Sequence, residues 1–357
     1  MQFMPGTWDA YGVDANGDRK KDPYNPVDAI CAAANYLSAS GYAEDPATAI
    51  FAYNRAGWYV DDILSNAADA ATGNIRLFSF GLGYDVDTFL LDGLASQHRG
   101  TSDYVTPDEA VDETVTSLYR KLSNPVLTDL QIDFGDVAVY DLQPGALPDL
   151  FSGEQLVLAG RYREGGTTDL ALRGAAGDAI HTFTYEARTF ETRGGTEAIP
   201  RLWATRKIGT LLQEIRIEGP DEETIEQIVA LSIRFGIVTP YTSYLVTEEA
   251  PFGAAAREEL SNEAYEQAAT TIAAPSGEDA VGAASAAGAL SGAEGASAPA
   301  AEYRDVVRIA GNRTFRWADG AWVDTAFDPD ADDPVAVPFL SDGYFALASA
   351  DPALAEA

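Results

Sequence analysis

The sequence is poor in several residue types, and each shortage excludes a class of site. Among 357 residues there is one cysteine, Cys31, so an intrachain disulfide and a multi-cysteine metal site are both excluded. The two histidines, His98 and His181, lie far apart with no evident serine or cysteine partner, which gives a catalytic triad no support. No apolar run approaches the roughly 18 residues that cross a bilayer, and the first residues lack the pattern of a signal peptide. We therefore expect neither a transmembrane segment nor an export signal within this chain.

Positive charge is also scarce. The chain has 23 lysines and arginines against 56 aspartates and glutamates, a net charge of −33 and a pI near 4.1. Such a surface repels phosphate backbones and anionic lipid headgroups. We expect no nucleic-acid partner, and the acidity alone selects no function.

The residue patterns predict a multidomain α+β protein. Helical periodicity dominates the first segment, and the second alternates buried strands with helices, which is typical of an α/β layer. Period-two alternation then predicts an antiparallel β-sandwich-like module with packed helices, followed by a helix, a disordered Ala/Gly/Ser-rich linker and a small β tail. The predicted domains cover residues 1–70, 74–122, 123–250, 251–302 and 303–357.

Individual elements follow from the same patterns. Prolines 26 and 46 begin helices, one of them ending at Gly41 and the other at residue 56, and a further helix is predicted over 58–68. In the larger segments we predict strands and helices at these positions: strands 75–81, 102–106, 126–134, 155–161 and 181–187; helices 86–98, 107–122, 199–218 and 221–235; and a flexible linker over 271–301.

The first segment carries a specific set of motifs in order. They are residues 1–12 (MQFMPGTWDAYG), 22–26 (DPYNP), 33–37 (AANYL) and 52–54 (AYN). This set resembles the peptidoglycan lytic transglycosylases of the lysozyme-like superfamily. The resemblance implies an all-α lysozyme-like fragment in which Gln2, Met4, Tyr53, Asn54 and Tyr59 line a groove for glycan strands. The alternative is that the aromatic side chains among them only pack the helices together.

Members of that family are similar in using one catalytic glutamate, which lies ahead of the Gln-Phe-Met-Pro motif. Here no glutamate precedes Glu44. Asp9 and Asp28 lie on predicted helices, but aspartate has a shorter reach and the pattern does not predict burial. We therefore expect the segment to bind glycan weakly, without cleaving it, and we interpret its start as a truncation.

A polar loop between the first helices places oxygen ligands at relative positions 1, 3, 5 and 9, namely Asp14, Asn16, Asp18 and Asp22. This is the first part of an EF-hand-type calcium loop. The loop departs from that pattern because Arg19 replaces the turn glycine and Asn25 replaces the bidentate glutamate. Two readings remain open: a Ca²⁺ site at residues 14–22, and a solvated turn rich in aspartate and asparagine.

The larger segment contains a second set of motifs. After the apolar strand comes FGLGYDVD at residues 80–87, and four more motifs follow in order at 125–129, 147–151, 200–208 and 236–243. Together they resemble the C-terminal part of inter-alpha-trypsin-inhibitor heavy-chain-like proteins, which have VIT and von Willebrand factor A domains. The resemblance implies a secreted or cell-envelope adhesion or ligand-binding protein with an unknown protein partner. The Mg²⁺-binding half of the von Willebrand A domain has no counterpart here.

Two functions from different classes follow from these resemblances. One is a binding or adhesion-type protein joined to a peptidoglycan-binding fragment. The other is a truncated transglycosylase that cleaves the MurNAc–GlcNAc bond to give 1,6-anhydromuropeptides. Both resemblances begin inside a domain, so the junction near residues 68–75 has two explanations: a natural fusion, or two gene fragments joined in the sequence record.

Overall fold

The structure, a computed structural model, describes 18 stretches of the chain. These are residues 3–16, 19–55, 57, 60, 63–64, 76–109, 111, 116, 125–177, 179–192, 195–196, 198–239, 253–271, 274–295, 306–310, 313–318, 320–329 and 331–350. They fall into two compact units, Met1–Arg76 and Leu77–Ala357. Mixed helices and several small sheets agree with the predicted α+β class.

The first unit is helical. Its described helices are α1 (Pro5–Tyr11), α2 (Pro26–Ala39) and α3 (Pro46–Tyr53). Each begins with a proline, whose fixed φ suits the first helical turn and whose missing N–H is not needed there. The Asn25 side chain caps α2 by accepting from the Val27 N–H at 2.9 Å. Helix α3 ends before the predicted residue 56, because Asn54 is already extended with a φ of −140°. Most of the helix predicted over 58–68 lies outside the described residues.

The second unit opens with a parallel strand pair. Strand β1 (Ser79–Leu82), helix α4 (Thr88–Gln97) and strand β2 (Ser102–Val105) form a βαβ unit, with Ser79 opposite Ser102. This agrees with the predicted α/β alternation. The helix predicted over 107–122 falls largely outside the described residues.

An antiparallel β-rich part follows. Its strands are β3 (Pro125–Asp133), β4 (Val139–Gln143), β5 (Leu150–Phe151), β6 (Ala159–Tyr162), β7 (Gly166–Ala176) and β8 (Ala179–Phe190). They form a four-stranded sheet in the order β5-β3-β7-β8 and a separate β4-β6 pair. Strand β8 is therefore an edge strand, and eleven of its twelve residues are exposed.

Helices form the main core of this unit. They are α5 (Ala198–Glu218), α6 (Glu222–Phe235), α7 (Ala254–Thr271) and α8 (Glu278–Ser291). Ile208, Ile225 and Ile228 are among their fully buried side chains. Asp221 caps α6 by accepting from the Thr224 N–H at 2.9 Å, and Gly236 ends it in the left-handed region at φ 58°. Helices α5 and α6 lie where the periodicity predicts them.

The predicted flexible linker over 271–301 is wrong for α8. This helix buries Ala280, Val281, Ala284 and Ala287, and it packs closely on α5. At Gly209 of α5 an added Cβ atom would lie only 2.2 Å from the Ser291 backbone nitrogen. The small residues of α8, which seem too small to form a core, allow this close backbone approach, and alanine also favours the helix itself.

A buried polar network joins α4 to α5. Arg216 donates to the Thr88 hydroxyl at 2.8 Å and to Asp92 at 3.2 Å, and Tyr104 donates to the other Asp92 oxygen at 2.6 Å. The Thr88 hydroxyl donates in turn to the Pro275 carbonyl at 2.9 Å. Burial, and then the neighbouring Asp92, raise the pKa of Tyr104, so its hydroxyl remains a donor.

The tail forms a small sheet, as predicted. Strands β9 (Val307–Ala310), β10 (Arg313–Ala318) and β11 (Ala321–Asp324) pair antiparallel in the order β11-β10-β9. Gly320, which lies between β10 and β11, has a φ of 79°. A final helix, α9 (Asp342–Ala350), was not predicted. Within the described part of the chain, every helix is too short or too polar to cross a membrane.

Candidate functional site

An aromatic cluster holds helices α1, α2 and α3 of the first unit together. The Phe3 ring lies 5.4 Å from Tyr36 and 5.6 Å from Tyr53, measured between ring centroids, and 6.4 Å from Trp8. Tyr36 also contacts Tyr11 at 5.0 Å and Tyr53 at 5.9 Å. Phe3 is buried, and the other four rings are partly exposed. The cluster is thus a packed centre with aromatic edges open to solvent.

Polar groups fix the orientation of two of these rings. The Tyr36 hydroxyl donates to the Ala52 carbonyl at 3.1 Å, near the end of α3. The Trp8 Nε1–H donates to the Lys21 carbonyl at 3.2 Å, which ties α1 to the polar loop. An aromatic ring that is held in place loses little entropy when a ligand stacks on it.

Three of the five predicted groove residues are described. Met4 is 76% exposed, and the neighbouring Phe3 contacts Tyr53, so the chain around Met4 lies beside the end of α3. Asn54 is partly buried and ends α3, with its backbone N–H donating to the Ile50 carbonyl at 2.9 Å. Tyr53 packs in the cluster and also keeps a partly exposed edge. Gln2 and Tyr59 lie outside the described residues, and the glycan-binding role of all five stays a prediction.

The sequence gives no indication of the role that Asp28 has. Its carboxylate is fully buried and accepts backbone N–H groups from Ala15 at 2.7 Å, Asn16 at 3.3 Å and Asp22 at 2.9 Å. The hydrogen bond from Asp22 is the main cause that holds the pKa of Asp28 below its usual value, and those from Ala15 and Asn16 add to it. As an ionised group, Asp28 therefore fixes the described backbone at both ends of the polar loop.

The predicted calcium loop is only partly described, because Asp18 lies outside the described residues. One Asp14 oxygen accepts from the Arg19 N–H at 2.8 Å, and one Asp22 oxygen accepts from the Tyr24 N–H at 2.9 Å. Arg19, in the place of the EF-hand glycine, has a left-handed φ of 69°. The backbone thus makes the turn that the EF-hand pattern requires at this position. Among the described residues no three acidic, histidine or cysteine side chains group to hold a metal, and the Ca²⁺ site stays a prediction.

Three carboxyl groups among the described residues of this unit lie in environments unlike that of a general acid. A glycosidase acid is kept protonated by an apolar pocket, which raises its pKa. Glu44, the one glutamate in residues 1–76, is exposed on the turn before α3. Asp28 is buried, but its pKa is lowered. Asp9 is exposed on α1. Asp28, the buried member of the three, is therefore not suited to protonate a leaving oxygen near neutral pH.

Residues 1–67 match the family model described as "Transglycosylase SLT domain". The match confirms the resemblance seen in the motifs of this segment, and it covers the aromatic cluster, the polar loop and Asp28. It does not extend to the second unit.

About half of the chain is similar to a different group of proteins. It is 27% identical over 202 residues to inter-alpha-trypsin inhibitor heavy chain H3 of Rattus norvegicus, an alignment that covers 53% of this chain and 22% of the relative. Heavy chain H2 of Sus scrofa is 26% identical over 206 residues, with 53% and 22% covered. Heavy chain H4 of Homo sapiens is 27% identical over 198 residues, with 52% and 21% covered. The second resemblance is confirmed, and the chain spans about a fifth of the length of these relatives.

The basic residues of α5 serve the fold of the second unit. Arg206 donates to the carbonyls of Ala293 at 2.6 Å and Val157 at 2.5 Å. Lys207 pairs with Asp141 at 3.1 Å. These cations are used within the protein, and a binding surface on the β-rich part must be sought elsewhere.

Proposed function

We propose that this chain is an extracellular or cell-envelope binding protein whose first unit attaches to peptidoglycan glycan strands without cleaving them. The match to a transglycosylase domain supports the substrate class. The aromatic edges beside the exposed Met4 supply the apolar surface on which sugar rings stack. The relatives of the second unit support a binding role for the larger part of the chain.

The environment of Asp28 is the observation that carries the non-catalytic part of this proposal. Three backbone N–H groups stabilise the ionised carboxylate and lower its pKa, which is the reverse of what proton donation requires. Burial alone would raise the pKa, so the direction of the shift shows that the hydrogen bonds dominate. The buried carboxyl group of Asp28 thus acts as a structural anion.

Incubation with purified peptidoglycan sacculi tests both halves of the proposal. We expect the protein to sediment with the sacculi and to release no 1,6-anhydromuropeptides. Tyr53→Ala should reduce the sedimented fraction, because it removes a ring at the open edge of the cluster. Tyr42→Ala, on the turn after α2, is the matched control and should sediment like the native protein. Release of anhydromuropeptides, or equal sedimentation of both variants, would count against the proposal.

For the β-rich part we propose protein binding of the adhesion type. Strand β8 is exposed along nearly its whole length, with Ile180 79% exposed and Phe183 and Tyr185 each 44% exposed. Unprotected edge strands and exposed aromatic side chains are features of protein-binding surfaces. Pull-down experiments that compare the native chain with Ile180→Lys test this part. The variant should retain less of a bound protein, because a charged edge opposes strand pairing.

A second candidate function is the cleavage of the MurNAc–GlcNAc bond. It is favoured by the description of the matched family model. It requires a glutamate ahead of Gln2, which a longer chain would supply. Assay of a chain extended by the genomic sequence directly upstream distinguishes the two, since only the extended chain should then release 1,6-anhydromuropeptides.

A further inference from the structure

Two exposed arginines lie against one tyrosine ring on the β4-β6 pair. The guanidinium carbon of Arg161 is 5.4 Å from the Tyr140 ring centroid, and that of Arg163 is 5.6 Å from it. Tyr140 itself is 40% exposed. We call Tyr140, Arg161 and Arg163 the arginine clamp.

Strand pairing and a buried tryptophan hold the clamp in place. Tyr140 of β4 lies directly opposite Arg161 of β6 in the antiparallel register. The guanidinium of Arg161 also lies 5.2 Å from the ring of the buried Trp203. Trp203 is fixed in turn, because its Nε1–H donates to the Asp141 carbonyl at 2.9 Å. The clamp is thus preorganised by the fold, which reduces the entropy lost when an anion binds.

Neither arginine of the clamp makes an ion pair within the part of the chain that the structure describes. Other cations of this unit do so: Lys207 pairs with Asp141 beside the clamp, and Arg99 pairs with Asp129. Glu164 follows Arg163 directly in sequence and is exposed, yet it makes no ion pair with the clamp. In a chain with a net charge of −33, two uncompensated guanidiniums on one ring are unusual.

The chemistry of the clamp indicates the ligand. A guanidinium that lies over an aromatic ring keeps its N–H edge free, and that edge matches a carboxylate in a bidentate geometry. The negative field of the whole chain repels a polyanion, so nucleic acids and sulfated glycans are poor ligands. A polypeptide that presents one or two carboxylates among uncharged residues meets the local positive charge with little long-range repulsion. The exposed Tyr162 beside the clamp adds the kind of aromatic surface on which protein partners pack.

We infer that the arginine clamp binds an aspartate or glutamate side chain of a protein partner, on a segment that is otherwise weakly charged. This inference rests on the proposed protein-binding function of the β-rich part, and it names the chemistry of the partner. The carboxylate accepts hydrogen bonds from Arg161 and Arg163, while adjacent uncharged side chains pack on Tyr140 and Tyr162.

A phage library of random 12-residue peptides, panned against the full chain, tests the inference. We expect the selected peptides to be enriched in aspartate or glutamate. Their affinities are then measured by fluorescence polarisation. Arg163→Gln should weaken binding at least about tenfold, because a charge-assisted hydrogen bond is lost. Replacing the acidic peptide residue by its amide should have a similar effect.

Two controls separate the clamp from the fold and from general charge. The arginine that lies over Trp203 is Arg161, so Arg163→Gln should leave the Trp203 packing intact, and circular dichroism verifies folding. Arg173→Gln removes an exposed arginine of β7 that lacks a ring contact, and it should leave affinity unchanged. Heparin oligosaccharide is the polyanion control and should bind more weakly than the selected peptides.

Three results would overturn the inference. If the selected peptides bind Arg163→Gln as tightly as the native chain, the clamp is not their site, although protein binding by the β-rich part still stands. If heparin binds the clamp more tightly than any peptide, the ligand class is wrong. If the library yields no specific peptide, the inference fails together with the protein-binding proposal.

Discussion

The contact between α5 and α8 predicts that replacing a glycine by alanine changes the free energy of unfolding in opposite directions at two positions, Gly209 and Gly282. In Gly209→Ala the new methyl group would lie 2.2 Å from the Ser291 nitrogen and 2.7 Å from the Leu290 carbonyl carbon, and both are backbone atoms. Helix α8 must therefore move away. In Gly282→Ala, on the exposed side of α8, no atom lies within 4 Å of the new Cβ.

The two effects can be estimated separately. Replacing a helical glycine by alanine favours the helix by about 1 kcal/mol at either position. Overpacking against backbone that cannot yield locally costs about 3 kcal/mol. We therefore expect Gly209→Ala to lower the free energy of unfolding by roughly 2 kcal/mol, and Gly282→Ala to raise it by up to about 1 kcal/mol.

Thermal unfolding followed by circular dichroism measures both changes. For a unit of this size 2 kcal/mol corresponds to a fall in Tm of about 3 to 4 °C. Hydrogen exchange should also become faster in residues 278–291 of Gly209→Ala, because the undocked helix loses protection. A rise in Tm for Gly209→Ala would refute the reasoning, since it is the result expected if residues 278–291 do not pack on α5.

Three further predictions concern charged groups. Arg216→Met should destabilise the second unit by about 3 kcal/mol in chemical denaturation, because Asp92 is left buried without its cation; the exposed Arg173→Met should change little. The lowered pKa of Asp28 gives the first unit stability that is complete above the ordinary aspartate pKa of 3.8 and is lost as the pH falls through the lower folded value. In Asp28→Asn the protection of residues 14–22 against hydrogen exchange should therefore be lower at pH 7, and it should no longer fall when the pH is lowered. Protection equal to that of the native protein would contradict this. Arg19→Gly removes a non-glycine residue from the left-handed region, so we expect the free energy of unfolding of the first unit to rise by about 1 kcal/mol. We also expect calorimetry to show tighter Ca²⁺ binding. An absence of binding heat in both proteins would remove the calcium prediction.

Local signals in the sequence were sufficient for much of the fold. In helix α6 the structure places Asp221 as the cap, Glu222 in the first turn and Gly236 at the end, which are the positions that the local preferences of these residue types favour. The parallel pair β1-β2 follows from an apolar run and a helix of suitable length. In these elements the local preference and the tertiary packing favour the same structure, so the pattern is informative.

The linker prediction failed because composition was judged without the partner surface. An Ala/Gly/Ser-rich stretch buries little apolar area per residue, and this favours disorder for an isolated segment. Gly209, about 70 residues earlier, provides a surface without a side chain on which α8 packs at short distance. Two contacts between residues distant in sequence are of this kind. The Gly209 contact positions α8 in the second unit, and the hydrogen bonds of Asp28 hold the polar loop in the first. Neither is encoded in the spacing of neighbouring residues.

A transglycosylase differs from a glycan-binding protein in having a carboxyl group whose environment raises its pKa, so that it stays protonated. Backbone N–H groups surround Asp28 and favour the anion, whereas the buried Phe3 and the partly exposed Tyr36 and Tyr53 belong to the aromatic cluster of this unit. A glutamate that packed on those rings would lose hydration without gaining donors, so its pKa would rise toward the range of a general acid. We therefore propose one cluster for both candidate functions: its exposed ring edges would contact the glycan, and a glutamate supplied by a longer chain would find there the apolar environment that keeps an acid protonated.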